Sequence, residues 1–182
     1  AAKPEPGSSV VILDNGVAIG TVIADADGNW SFTPETALDD GEHALTLTIT
    51  DPSGNNSNSL PAGVIVIDTS APAAATSLLI TDDVGTKTGA LTNGSVTDDS
   101  KPTISGKAEK GSTITLYDGE TAMGTTTADA EGNWSFTPET ALGDGEHSII
   151  VKVTDGAGNT SAASDTIVFT VDTVAQAASD MV

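Results

Sequence analysis

Carboxylates crowded into loops are the groups in this chain best suited to chemistry, and the chemistry they suggest is the binding of a hard cation. Calcium takes about 6–8 oxygen ligands, which clustered Asp and Asn side chains supply. Three groups qualify. Asp68 precedes Thr69, and Asp172 precedes Thr173 in the same way. The doublets Asp82-Asp83 and Asp98-Asp99 flank a loop containing Gly85, Gly89 and Gly94. A loop runs from Asp155 to Asn159, with a counterpart from Asp51 to Asn55. Adjacent carboxylates repel unless a cation lies between them, so the doublets are read as Ca2+ ligands, whereas an isolated Asp-Gly is read as a turn. The stretch Asp25-Ala26-Asp27-Gly28-Asn29 opens like an EF-hand loop but has Trp30 at the sixth position and Thr36 at the twelfth, so it is read as a hairpin turn.

Catalysis finds little support. The two histidines, His43 and His147, occupy equivalent places in an internal duplication, each at the start of a strand. No Gly-x-Ser-x-Gly elbow occurs. Each carboxylate pair that could serve a glycosidase recurs with the duplication or lies in a linker, and active sites are seldom copied in near-identical repeats. Trp30 and Trp134 could stack on sugars. Each stands two residues before a phenylalanine, Phe32 or Phe136, which puts both rings on one strand face and favours core packing. The reading is therefore not an enzyme.

The elements that hold these residues repeat. Residues 24–43 and 128–147 agree at 18 of 20 positions, at an offset of 104. The same offset pairs Gly7 with Gly111, Asp14 with Asp118, Asp51 with Asp155 and Asp68 with Asp172. A period near 100 residues is the size of a whole sandwich domain, beyond the ~20–50 residues of a solenoid unit. Apolar residues alternate with polar ones between Asp-Gly turns, as in Leu45, Leu47 and Ile49 separated by threonines. The alternation predicts seven strands per repeat: 77–80, 103–108, 113–117, 122–128, 134–137, 147–154 and 165–171. Asp118-Gly119 and Glu131-Gly132-Asn133 are read as hairpin turns. The fold expected is all-β, a tandem of Ig-like seven-stranded β-sandwiches of about 104 residues. Leu142, Gly145 and His147 stand where such sandwiches place a tyrosine corner, with His for Tyr.

The organisation follows from the offset. Residues 1–69 form an incomplete first repeat lacking its N-terminal strands, 70–173 a complete repeat, and 174–182 the start of a third. The first repeat, short of the counterparts of 71–104, is expected to fray unless a neighbouring molecule completes it. In such a sandwich the 155–159 loop lies where the chain comes in, near a linker carrying Asp68, so a calcium site shared at the junction is expected.

Composition narrows the partners. The chain has 26 acidic residues against six lysines, a net charge of −20, and no cysteine. Cystine frameworks and thiolate metal sites are excluded. The charge repels phosphate backbones and anionic membrane surfaces, so neither nucleic acid nor membrane insertion is expected. The start, Ala1-Ala2-Lys3-Pro4, shows no apolar leader, which is read as an internal fragment.

At Pro102-Thr103-Ile104-Ser105-Gly106, Gly111-Ser112-Thr113, Asp129 through Trp134, Gly145-Glu146-His147 and Asp155 through Asn159, the chain resembles the bacterial Ig-like repeats of giant adhesins, the Bap-like attachment and biofilm proteins exported by type I secretion. The resemblance implies display at the cell surface, calcium-dependent rigidity and an extension role. Its implied partners are neighbouring repeats, with host or surface glycan and protein reached through other domains. A direct glycan- or protein-binding module, or an accessory domain of a secreted polysaccharide hydrolase, are the competing readings.

Overall fold

Val, Ile, Leu and Thr alternate with polar residues between Asp- and Gly-rich turns, and this pattern builds strands throughout. The computed structural model describes residues 3–175, and no helix occurs among them. The chain divides into two units, Ala1–Thr69 and Ser70–Val182. Of the expected third repeat, 174–182, all but Val174 and Ala175 lies outside the described residues.

The first unit is one antiparallel sheet. Its strands are β1 (Ser9–Asp14), β2 (Val17–Ile23), β3 (Gly41–Thr50) and β4 (Leu60–Ile67), in the order β2-β1-β3-β4. Asn15 and Gly16, with φ of 47° and 84°, join β1 to β2. Positive φ at both central residues is the requirement of a two-residue hairpin turn, which Asn-Gly meets at little cost. Val10 and Ile12 are buried, but Leu45, Leu47 and Ile49 are only half-buried.

The second unit is a complete sandwich. It comprises β5 (Thr76–Asp82), β6 (Gly89–Leu91), β7 (Ser95–Thr97), β8 (Thr103–Lys107), β9 (Thr113–Asp118), β10 (Thr121–Thr127), β11 (Asn133–Phe136), β12 (Gly145–Thr154) and β13 (Ile167–Val171). One sheet has the order β10-β9-β12-β13-β7 and the other β11-β8-β5-β6. Their inner faces meet through Ile80 and Ile104 on one side and Ile149, Val151, Val153 and Phe169 on the other, all fully buried. Period-2 alternation does this: along β12 every second residue from Ile149 points inward.

Two expectations need correcting. Nine strands form where seven were expected, because the stretch between the Asp doublets folds into β6 and β7; β7 pairs parallel with β13 and β6 antiparallel with β5. Glu131-Gly132-Asn133 does not close a hairpin. The strands on either side, β10 and β11, belong to different sheets, and the turn carries the chain from one to the other.

The contrast between units has a direct cause. In the second unit β11 exists because β8 pairs with it, Trp134 opposite Gly106 and Phe136 opposite Ile104. The first unit has no counterpart of β8 among its described residues, and the identical Asn29-Trp30-Ser31-Phe32 forms no strand. Likewise β13 has β7 on its outer edge, whereas the equivalent edge of β4 is open, leaving Val64 61% and Val66 70% exposed.

Candidate functional site

The acidic loops sort into three kinds. In the first, the carboxylate is spent on its own loop. Asp155 Oδ1 accepts the amides of Ala157 and Asn159, both at 2.9 Å, while Oδ2 accepts the Asn159 side-chain amide at 2.9 Å. Asp51 does the same with Ser53 and Asn55. Asp25 and Asp129 repeat the pattern, holding the Asn29 and Asn133 amides at 2.8 Å. The Asn55 and Asn159 side-chain amides lower the carboxyl pKa of Asp51 and Asp155 first of all; for Asp25 and Asp129 the backbone amides of Asn29 and Asn133 lead. These four carboxylates act as Asx-turn clasps.

In the second kind the carboxylates gather at one end of the second unit. Asp82 and Asp99 are each 3% exposed. Asp82 accepts the Thr97 hydroxyl at 2.6 Å and the Val84 amide at 2.9 Å. Asp99 accepts the Lys101 amide at 2.7 Å. Asp82, Asp98 and Asp172 line one small cleft with Thr86, Lys87 and Thr97. The Asp98 carboxylate lies directly against Gly85, where any side chain would collide with it. Asp83 is exposed.

Strand register fixes which predicted residues come together. Asp172 and the Asp82 and Asp99 loops share the end where Val171 pairs with Thr97 and Thr81 with Thr103. Asp155 follows Thr154, which pairs with Thr113 at the other end, where Thr76 pairs with Lys107. The doublets and the 155–159 loop therefore lie at opposite ends of the second unit. Asp68 and the 51–55 loop belong to the first. Among the described residues no group of three or more His, Asp or Glu stands ready to hold a metal ion.

The third kind was not anticipated as a unit: an Asp–His latch. His147 Nδ1 lies 2.6 Å from Asp118 Oδ2 and Nε2 lies 2.7 Å from the Gly143 carbonyl. His43 meets Asp14 at 2.6 Å and the Asp39 carbonyl at 2.8 Å. Each ring thus ties the start of a long strand to the preceding hairpin and to backbone four residues upstream, the tyrosine-corner role expected of His147. Asp118 Oδ1 also accepts the Ser148 amide at 2.9 Å. In the first unit Asn15 takes the equivalent Ala44 amide instead, and Asp14 Oδ1 is left buried without a partner. A second recurring tie joins Thr173 to Asp144 and Thr69 to Asp40. Both devices span 29 residues, and their only sequence signal is that both members recur at the 104 offset.

The latch favours a charged ring, since both nitrogens face acceptors and a neutral imidazole can donate from only one. At His43 the Asp39 carbonyl raises the pKa most, followed by Asp14. At His147 burial pulls the pKa down, and Asp118 with the Gly143 carbonyl more than offsets it. A raised histidine pKa contributes stability that is complete below the unfolded value of about 6.5 and is lost as pH climbs through the folded value. The melting temperature should therefore decline on the alkaline side of about pH 6.5. A thermal melt series across pH checks this: the decline should vanish in the His43→Gln, His147→Gln double variant, and its persistence there would place the titrating group elsewhere.

A cleft recurs in both units beside the latch, lined by Gly20, Phe32, Pro34 and Glu35 in the first and by Gly124, Phe136, Pro138 and Glu139 in the second.

A family model described as a bacterial Ig-like domain matches residues 2–69 and again 74–173. Fibronectin(III)-like modules of Clostridium thermocellum CbhA align at 14% identity over 94% of this chain and 81% of theirs, with a TM-score of 0.51, a likeness of fold. The BSP domain of a biofilm-associated protein aligns at 22% identity over 94% of this chain, with a TM-score of 0.38; this chain spans 26% of that one. A tetra-tandem repeat from the extending region of a large adhesion protein gives 23% identity over 94% of this chain and 43% of its own, at 0.39. No curated protein matches the chain.

Proposed function

We propose, starting from a chain that belongs to the bacterial Ig-like domain family, that it is an extension module of a bacterial surface adhesin, a stalk that carries binding domains elsewhere in the protein away from the cell. The observation that carries this reading is what the repeat copies. The Asx clasps, the Asp–His latch and the Asp–Thr tie recur at an offset of 104, and all of them brace loops. A stalk needs the same brace in every bead. A recognition surface gains from variation between beads. Catalysis has no part in this reading; it assigns no nucleophile and no general base. The partners are neighbouring repeats, with glycan or protein ligands met by other domains, and the location is extracellular.

The cleft beside the latch is the feature that would serve the second reading, a module that itself grips glycan or protein, though its near-identical lining in both units favours the stalk. The length of chains carrying increasing numbers of the complete repeat separates the two, since an extension module adds a fixed increment per copy.

Calcium is the proposed stiffening ion. The candidate ligands are Asp82, Asp98 and Asp172, which line one cleft with Thr97, and the ion would have to draw them together and take the Asp82 oxygens from Val84 and Thr97. These carboxylates, with the Thr97 hydroxyl oxygen beside them, would hold it. The ion would supply charge neutralisation and cross-linking of the β5–β6 loop to the end of β13. Asp51 and Asp155 fit poorly, because their oxygens are already committed to their own loops.

A further inference from the structure

Asparagine is a thermolabile side chain, most of all before glycine, whose unhindered amide nitrogen can reach the asparagine Cγ. The chain contains two Asn-Gly pairs, Asn15-Gly16 and Asn93-Gly94, and all four residues are exposed. The fold treats the pairs differently. Asn93 and Gly94 are both tied to β13: Asn93 Oδ1 accepts the Val168 amide at 2.7 Å, and the Gly94 amide donates to the Val168 carbonyl at 2.8 Å. The nitrogen that would attack is already bonded there, and the group it would attack is held. Asn15 sits at the tip of the hairpin between β1 and β2. Its side chain makes two longer bonds, donating from Nδ2 to the Glu42 carbonyl at 3.3 Å and accepting the Ala44 amide on Oδ1 at 3.2 Å. The Gly16 amide meets no acceptor among the described residues, and nothing stands within 4 Å of where a Cβ on Gly16 would lie. Strand β2 is outermost in its sheet, as its equivalent β10 is in the complete sandwich, so the tip opens without breaking a central pair.

We propose that Asn15 is a site of spontaneous deamidation, with water as the only co-reactant, and that the product releases the Asp14–His43 latch. Hydroxide removes the Gly16 amide proton. The nitrogen forms a bond to Asn15 Cγ and the Cγ–Nδ2 bond breaks. The departing nitrogen takes a proton from water and leaves as ammonia, which regenerates the hydroxide. Water then opens the cyclic imide. Cleavage at Cγ leaves an ordinary aspartate. Cleavage at the main-chain carbonyl leaves isoaspartate, with the backbone rerouted through Cγ and one methylene longer. Either product sets a carboxylate against the Glu42 carbonyl, where the side-chain amide had donated. Isoaspartate also lengthens the turn that places Asp14 opposite Val17 and within 2.6 Å of His43. A two-residue hairpin turn matches the strand twist only at its own length, so the added atom displaces Asp14. The second unit has Gly119 at this place, so its latch has no amide to lose.

The test incubates the full 182-residue chain at mildly alkaline pH and follows the amide-to-acid mass gain at each asparagine by peptide mapping. In the folded chain Asn15 should convert about tenfold or more faster than Asn93, the order of difference that local opening gives between a hairpin tip and a paired segment. In denaturant the two should convert at similar rates. After conversion the His43 ring, followed by NMR, should titrate nearer the ordinary histidine range, with His147 unchanged. Asn15→Gly, which the φ of 47° accommodates, should keep the His43 titration of the fresh chain through the same incubation. Asn93 converting as fast as Asn15 in the folded chain overturns the proposal, and so does the same ratio of rates in denaturant. A His43 titration unmoved by conversion, or one that moves equally in Asn15→Gly, overturns the unlatching.

Discussion

Replacing Phe169 with alanine should destabilise the second unit by about 3–5 kcal/mol, while Ile65→Ala at the equivalent position of the first unit should cost about 1 kcal/mol or less. Phe169 is completely buried between two sheets, and its ring lies 5.9 Å from that of His147. Truncation there removes a large apolar side chain and leaves a cavity that rigid neighbouring strands cannot fill. Ile65 sits at the same place in the repeat but is 40% exposed, because no second sheet covers it. Little burial exists to be lost. Denaturant unfolding followed by hydrogen exchange in each unit measures the two costs separately. Equal costs would mean that the first unit is covered in solution after all.

Removing calcium should produce the next largest effect. Asp82, Asp98 and Asp172 face one cleft, and the chain carries a net charge of −20. Carboxylates a few ångströms apart near a protein surface repel by roughly 1–4 kcal/mol per pair. A cation bound only by the folded form adds about 2.7 kcal/mol at a hundredfold excess over its dissociation constant. For a domain of this size that is a rise in melting temperature on the order of 10 °C. Extracellular modules commonly bind calcium at about 10⁻⁴–10⁻³ M, so millimolar calcium against chelator is the right comparison. Magnesium at the same concentration should do much less, since it resists dehydration and demands octahedral geometry. The double variant Asp82→Asn, Asp98→Asn should lose the calcium response. Asp118→Asn should lower the melting temperature yet keep that response, because Asp118 serves the latch. Identical melts in calcium and chelator would remove the metal from the account.

The sheets of the second unit were legible because alternation is a local signal. Leu45, Leu47 and Ile49, like Ile149, Val151 and Val153, declare a half-buried strand without reference to anything distant. The strands β6 and β7 were not legible. Each has three residues, too few to show a period, and β7 exists through pairing with β13, more than 70 residues away. The turn at Glu131–Asn133 has hairpin chemistry, but the Asp129 clasp redirects the chain between sheets, a choice that only the tertiary pairing of β8 with β11 decides.

The candidate site divides in the same way. Residue type marked the acidic loops as candidate metal ligands, yet the same Asp-x-x-x-Asn spacing that suggests a metal loop also makes a self-satisfied Asx turn, as at Asp51 and Asp155. Which end of the sandwich each loop occupies depends on strand register, which periodicity does not specify. The latch escaped notice because Asp118 and His147 are 29 residues apart and each has an ordinary local explanation, one as a turn residue and the other as a strand start.

The central claim, that the repeat serves to extend, is tested most directly by small-angle scattering on chains carrying one, two, four and eight copies of residues 70–173 in millimolar calcium. Strands of the observed length plus their loops give each sandwich a long dimension of roughly 30–40 Å. The account predicts a maximum dimension that rises linearly by that increment with every copy added. A dimension that levels off as copies accumulate, as repeats packing into a compact particle would give, contradicts it.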